Sequence, residues 1–267
     1  MARNVLKSIL NAVNGSELPI EQVFLNSLCR SIETTQACHK PSMTYKPSSM
    51  QCPRNMLYQV TGADVGEEKD TNELIGICES GEDRHIRLQN AIKNMPDWEF
   101  CSVSEYVNSR HLQDLEVVLE EQNETLIFNK KLNMRFKCDG ILRYKGQYFI
   151  LEIKTITSRE FWKLDRVLDK HIPQAVAYSN NFGIDTIIFL YENRDNCSKK
   201  AFRIDITEEM RQKQLDLIAQ CEEAKVEGKL IAIPQDLDKT VICKYCKYKI
   251  LCRKEEANTE NEEYGGE

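Results

Sequence analysis

Apolar positions along this chain alternate between a helical and a strand-like period, and the changes of period divide it into elements. Leu6, Ile9, Leu10 and Val13, then Val23, Phe24, Leu28 and Ile32, recur at helical spacing on either side of Asn14-Gly15-Ser16. They predict one or two short amphipathic helices over residues 1–45 that pack on the main domain or meet a partner. A polar Pro/Ser connector, His39 to Met50, leads into Cys52-Pro53-Arg54, a helix start with proline in its first turn. An interrupted apolar stripe over 67–97 predicts a long helix containing Gly81 and His85. Residues 125–129, 132–142 and 148–155 predict consecutive strands, the last two joined by a turn at Lys145-Gly146-Gln147. Then come a helix over 174–180 behind Pro173, a buried strand from Thr186 to Tyr191, a strand at 201–206, and a helix over 207–228 capped by Thr207. No internal repeat is present. Strands with helices on both sides predict an α/β fold.

The hairpin at 138–155 carries the first candidate chemistry. Side chains alternate along a strand, so Glu152 and Lys154 share one face while Leu151 and Ile153 enter the core on the other. A carboxylate and an amine at the end of a buried strand are costly unless paired, coordinated or used. Asp139, on the neighbouring strand, is close enough to join them. Two carboxylates can hold a hard divalent cation, and a lysine beside it can position or deprotonate a water. On these residues alone, a solvated strand with a surface ion pair worth ~0–1 kcal/mol fits as well.

Asp139 followed by Glu152-Ile153-Lys154 resembles the D…(D/E)xK signature of the PD-(D/E)xK nuclease superfamily. Its RecB-type branch carries two further marks, and both have counterparts in order: G-x3-H at Gly81 and His85, and Q-x3-Y at Gln174 and Tyr178. The resemblance implies a restriction-endonuclease-like core, a mixed central sheet flanked by helices. It implies that His85, Asp139, Glu152 and the Ile153 carbonyl hold Mg²⁺ or Mn²⁺. Lys154 would orient the attacking water or offset charge, and Gln174 and Tyr178 would position the lysine. The pattern is not kept throughout: Cys138 stands where relatives have proline, and the glycine they carry upstream is absent.

Length and composition bound the reading. At 267 residues, with 29% charged and 41% hydrophobic positions, the chain can bury one sizeable core. It has no apolar run of membrane-spanning length, and its N-terminal residues have no apolar leader pattern, which predicts a cytoplasmic protein without a membrane partner. The net charge of −6 is matched by the six glutamates of residues 255–267, read as an acidic disordered tail. Immediately before it, Val241 to Lys254 carries Lys244, Lys247, Lys249, Arg253 and Lys254 with no acid. Such a patch can contact phosphate even on an acidic molecule. The expected organisation is an N-terminal extension (1–45), a main domain (46–254) and the tail (255–267).

Eleven cysteines in a reducing compartment point to metal or cluster ligation where they bunch. Cys243, Cys246 and Cys252 form C-x2-C-x5-C within the basic segment, which favours ionised sulfur. The layout is similar to the iron–sulfur nucleases of the AddB and CRISPR-adaptation RecB-like families. That likeness supplies Cys52 as fourth ligand of a [4Fe–4S] cluster, stapling the two ends of the domain together. A Cys₄ zinc site uses the same ligands, and Cys221 is a rival to Cys52. Cys29, Cys38, Cys78, Cys101, Cys138 and Cys197 are read as small packing residues, and His39, His111 and His171 likewise, with His171 near enough to Gln174 to touch DNA. The likeness implies a DNA exonuclease acting on single strands or resected ends in recombination, replication or DNA processing, as in phages, with a helicase or recombination partner. A flap endonuclease on the same core, or a DNA-binding subunit without chemistry, are the rival functions. Lys244, Lys247, Tyr248 and Arg253 are the candidate DNA contacts beside the cluster.

Overall fold

The computed structural model describes residues 18–34, 42–65, 71–120, 125–235 and 237–264. The helix expected at Leu6 to Val13 and the start of the connector at His39 lie outside them. Two compact units are formed, residues 1–40 with 67–82, and residues 41–66 with 83–267. In the first, helix α1 (Ile20–Thr34) buries none of its residues. Helix α3 (Asn72–Ile92) begins in the first unit and ends in the second.

The second unit is mixed α/β. Its five-stranded sheet has the order β1 (Glu99–Cys101), β5 (Gly140–Tyr144), β6 (Gln147–Ile156), β7 (Thr186–Asn193), β8 (Lys199–Asp205). Only β6 and β7 run parallel, so the sheet is mixed. A separate antiparallel sheet holds β2 (Leu115–Glu120), β3 (Thr125–Asn129) and β4 (Met134–Cys138). The β5–β6 turn is two residues long, with Lys145 at φ 48° and Gly146 at φ 83°. Two positive φ values in succession are the demand of a type I′ turn, whose twist matches the flanking strands, and this is why glycine stands at 146.

The strand expected over 132–142 is in fact two. The chain bends at Asp139 and passes from one sheet to the other, β4 ending at Cys138 and β5 starting at Gly140. A Cβ at Gly140 would lie 2.7 Å from the Phe100 ring, so any side chain there has to displace that ring.

Strand alternation divides the core between two faces. Leu142, Phe149, Leu151 and Ile153 pack with Leu88 and Ile92 of α3. Ile141, Ile150, Ile156, Ile187, Phe189 and Tyr191 face the other way, against α4 (Val103–Ser109), α6 (Ile172–Phe182) and α7 (Glu208–Glu227). Leu151 and Ile153 therefore enter the core as expected, and Glu152 and Lys154 share the opposite face with Ile150 and Ile156.

Helix α2 (Pro53–Thr61) starts at Pro53 as read, and α7 is capped by the Thr207 hydroxyl, which accepts from Met210 N–H. Helix α8 runs Lys249–Tyr264, so that residues 255–264, read as the start of an acidic tail, are helical. Ala and Glu are good helix formers, and Tyr58 donates its hydroxyl proton to Glu255, tying the segment to α2. Among the described residues no helix is long and apolar enough to cross a membrane.

Candidate active site

The site is assembled where the β5 ladder runs out. Gly140 pairs with Leu151, so β6 continues beyond Leu151 without its β5 neighbour. Asp139 takes over that edge: its Oδ2 accepts from the Ile153 N–H at 2.6 Å, and its Oδ1 lies 3.0 Å from His85 Nδ1. One turn beyond His85 on α3, Gln89 donates its side-chain amide to the Asp139 carbonyl at 2.7 Å. The aspartate is thus held through its backbone and both carboxylate oxygens. Ile153 is engaged through its N–H; the role expected of its carbonyl stays a proposal.

Glu152 lies beside this group, with its side chain 2% exposed. Its Oε1 is 2.5 Å from Lys154 Nζ, while Oε2 is buried without a hydrogen-bond partner. Burial is the main cause that lifts the Glu152 carboxyl above its usual range; Lys154 opposes the rise and Asp139 adds to it. For His85, burial disfavours the charged ring, but the hydrogen bond and charge of Asp139 outweigh it and the imidazole stays more basic than usual.

Lys154 is aimed by a one-way chain of donors. Its ammonium donates to Gln174 Oε1 at 2.9 Å, and Gln174 Nε2 donates to the Tyr178 hydroxyl at 2.8 Å. Tyr178 passes its own proton to the Lys137 carbonyl at 2.9 Å. Burial, then the charges of Glu152 and Asp139, keep the Tyr178 phenol protonated, as a donor must be. Positions i and i+4 of one helix do this because they sit one above the other on the same face. The six side chains fall into two bonded sets, His85 with Asp139, and Glu152 with Lys154, Gln174 and Tyr178, which meet at the backbone of β6 where Asp139 takes the Ile153 N–H. No close contact demands glycine at 81, where an added Cβ would meet nothing within 4 Å.

Among the described residues no three His, Cys, Asp or Glu side chains are drawn together tightly enough to hold an ion as they stand. At the carboxylates, Lys154, His85 and the Ile153 N–H take three of the four oxygens. A hard cation still fits the donor chemistry, two carboxylates and an imidazole, and Glu152 Oε2 is an orphaned buried acceptor awaiting a partner.

Sequence reasoning missed the buttress behind the site. Glu192 on β7 is fully buried, yet it meets Arg87 at 2.6 Å, Arg84 at 3.1 Å and Lys199 at 3.5 Å. Arg84 also donates to the Arg194 carbonyl at 2.8 Å. Both arginines flank His85 on α3; only their spacing around His85 hinted at a role. His171 stacks on Phe189 and Tyr191, and its Nδ1 lies 2.8 Å from the Tyr191 hydroxyl. Burial, then Lys154 and Lys170, push its pKa down to about 3, so it is a neutral packing group behind the lysine.

The cysteine constellation gathers separately. Cys52, Cys243, Cys246 and Cys252 line one cavity of ≈ 120 Å³ together with Arg54, Asn55 and Tyr58. Cys221 does not line it; it is buried, with its thiol toward the Pro53 carbonyl. Arg54 Nη1 and Asn55 Oδ1, both at this cavity, are buried without hydrogen-bond partners. Burial, as the leading cause, raises the thiols of Cys52, Cys246 and Cys252. At Cys52 and Cys252 the Arg54 charge opposes the rise without cancelling it. Tyr248, read as a DNA contact, is 7% exposed, its ring 5.2 Å from that of Tyr58. Lys244, Lys247 and Arg253 are exposed.

No protein-family model matches this chain, and no curated protein matches it either. Among solved structures, the protein described as SSO0001 is 15% identical over 88% of this chain and 96% of its own, with a TM-score of 0.45. An alkaline exonuclease, LHK-Exo from Laribacter hongkongensis, is 12% identical over 74% of this chain and 93% of its own, with a TM-score of 0.44. LHK-Exo in complex with dAMP is 13% identical over 70% and 93%, with a TM-score of 0.37.

Proposed function

We propose that this protein is a divalent-metal-dependent nuclease that hydrolyses DNA phosphodiester bonds, acting as an exonuclease on single-stranded or resected ends. One observation carries the reading: a buried carboxylate with an unpartnered oxygen, Glu152, stands between a doubly anchored Asp139 and a lysine aimed by three successive hydrogen bonds. A merely structural ion pair needs no such aiming. Asp139, Glu152 and His85, with the Ile153 carbonyl, would hold Mg²⁺ or Mn²⁺, which when bound polarises a phosphate and acidifies a water. Lys154 supplies a fixed positive charge where negative charge builds on the phosphoryl oxygens. Gln174 and Tyr178 keep the ammonium from relaxing wholly onto Glu152. His85, through Nδ1, and Gln89 hold Asp139 in place.

End-labelled linear single strands and closed single-stranded circles of the same sequence test this. With Mg²⁺ or Mn²⁺ the linear strand is expected to be degraded from an end and the circle left intact, and EDTA should stop the reaction. Cut circles transfer the reading to an endonuclease. DNA that is bound but never hydrolysed with either ion removes the catalytic reading altogether.

Cys52, Cys243, Cys246 and Cys252 are proposed to hold a [4Fe–4S] cluster. Four thiols around one cavity support it, as does a buried guanidinium edge, Arg54 Nη1, with no partner there. A thiolate-ligated cluster is anionic, so a buried guanidinium edge without a partner suits it. Protein prepared without oxygen is expected to be brown, with iron and acid-labile sulfide in equal amounts. Colourless protein carrying zinc would assign the same thiols to a Cys₄ zinc site.

A further inference from the structure

The catalytic strand does not end in a loose loop. Three residues past Lys154, Thr157 opens the six-residue helix α5 (Ser158–Lys163) with a capping box, its hydroxyl accepting from Glu160 N–H while the Glu160 carboxylate accepts from Thr157. Ser158 is tied at both ends, its N–H to Asp195 at 3.0 Å and its hydroxyl to Asn193 at 3.0 Å. At the other end Lys200 donates to the carbonyls of Phe161 and Leu164 at 2.9 and 2.7 Å. Phe161 and Leu164 anchor the inner side, 1% and 5% exposed.

The outer side is the reverse. Trp162 is 63% exposed, its ring edge-on to Phe161, whereas Trp98 stacks on Tyr144. Arg159, at i−3 from the indole, and Lys163, beside it, are exposed and make no ion pair with any described residue. Of the neighbouring acids, Glu160 turns back into the capping box, Asp169 is engaged by Arg166 at 3.1 Å, and Asp165 is exposed. A short helix held this firmly has no stability reason to display an indole between two unpaired cations.

We infer that Trp162, with Arg159 and Lys163, is a stacking platform for an unpaired base of a single nucleic-acid strand entering the site. The inference rests on the nuclease reading and gives it a substrate form. An indole offers a flat apolar face to any base, and the flanking cations meet the phosphates on either side. A paired base has both faces already covered, so the platform selects single strands. Along the chain, the Trp162 backbone lies at most about 18 Å from that of Lys154, from three strand residues and five helical ones, which puts the stacked base within several nucleotides of the scissile phosphate.

The sequence contains two tryptophans, so Trp98→Phe leaves Trp162 as the sole indole reporter. In EDTA, where nothing is cleaved, a dT oligonucleotide should quench its fluorescence to saturation and a blunt duplex of the same length should not. Trp162→Ala should weaken oligonucleotide binding about tenfold, by anisotropy of a labelled strand, and Trp162→Phe should recover most of it. Because the residue is exposed, thermal melting should be unchanged. Equal binding by wild type and Trp162→Ala, or equal quenching by strand and duplex, overturns the inference. If the protein degrades DNA and Trp162→Ala binds normally, this inference fails and the nuclease reading stands. If the indole is quenched but DNA is never hydrolysed, the reverse holds.

Discussion

Lys154→Ala is expected to lower DNA hydrolysis by about 10²–10³-fold, the usual loss when one fixed charge-stabilising donor is removed from a reacting centre. Single-strand affinity in EDTA should barely move, because the ammonium is turned inward to Glu152 and Gln174 rather than outward. Single-turnover cleavage beside anisotropy separates the two effects. Glu152 is buried, but with its carboxyl already raised it takes up a proton once the lysine is gone, which limits the cost to stability. Gln174→Ala should give a smaller loss in the same direction, since it leaves the charge and removes only its tether. Lys154→Arg should not restore the rate, because a planar fork cannot occupy the position of a compact ammonium between a carboxylate and an amide. Undiminished turnover in Lys154→Ala ends the mechanism proposed for this site.

How much of this was legible in the sequence depends on whether the signal was local. Strand alternation placed Glu152 and Lys154 on one face, and helical spacing placed Gln174 below Tyr178; both are single-element geometry, and both are found. The Lys145-Gly146 turn was equally readable, because two positive φ values narrow the choice of residues. The bend at Asp139 was not. Apolar positions alternate through Met134, Phe136 and Cys138 and resume at Ile141 and Leu142, so the run reads as one strand unless Asp139-Gly140 is taken as its break. The burial of Tyr248 was hidden for a similar reason. In the sequence it stands in a basic stretch, and its partner, Tyr58, is 190 residues away.

Glu192 is the extreme case of such long-range dependence, and removing its partners should produce the largest loss of stability. Replacing both Arg84 and Arg87 by alanine is expected to cost about 3–5 kcal/mol, the range for removing a partner from a buried charge, with Lys199 still 3.5 Å away. The carboxylate is fully buried and cannot turn to water, whereas the arginines are 23% and 50% exposed and can. Glu192→Gln should accordingly cost less than the double replacement. The pH dependence gives an independent check. Burial alone would raise the Glu192 carboxyl, but Arg87 and Arg84 hold it below the usual carboxylate range. A depressed folded pKa means the contribution is complete above the ordinary value near 4.5 and is lost as pH falls through the folded one. Wild type and the Arg84→Ala/Arg87→Ala variant should therefore differ most in denaturant midpoint at neutral pH and converge below about pH 4.5. A gap that stays constant across that range would mean the arginines act through packing alone. Because the two arginines lie on either side of His85, the same variant should also loosen the imidazole over Asp139, and the loss of cleavage should exceed what the fraction unfolded explains.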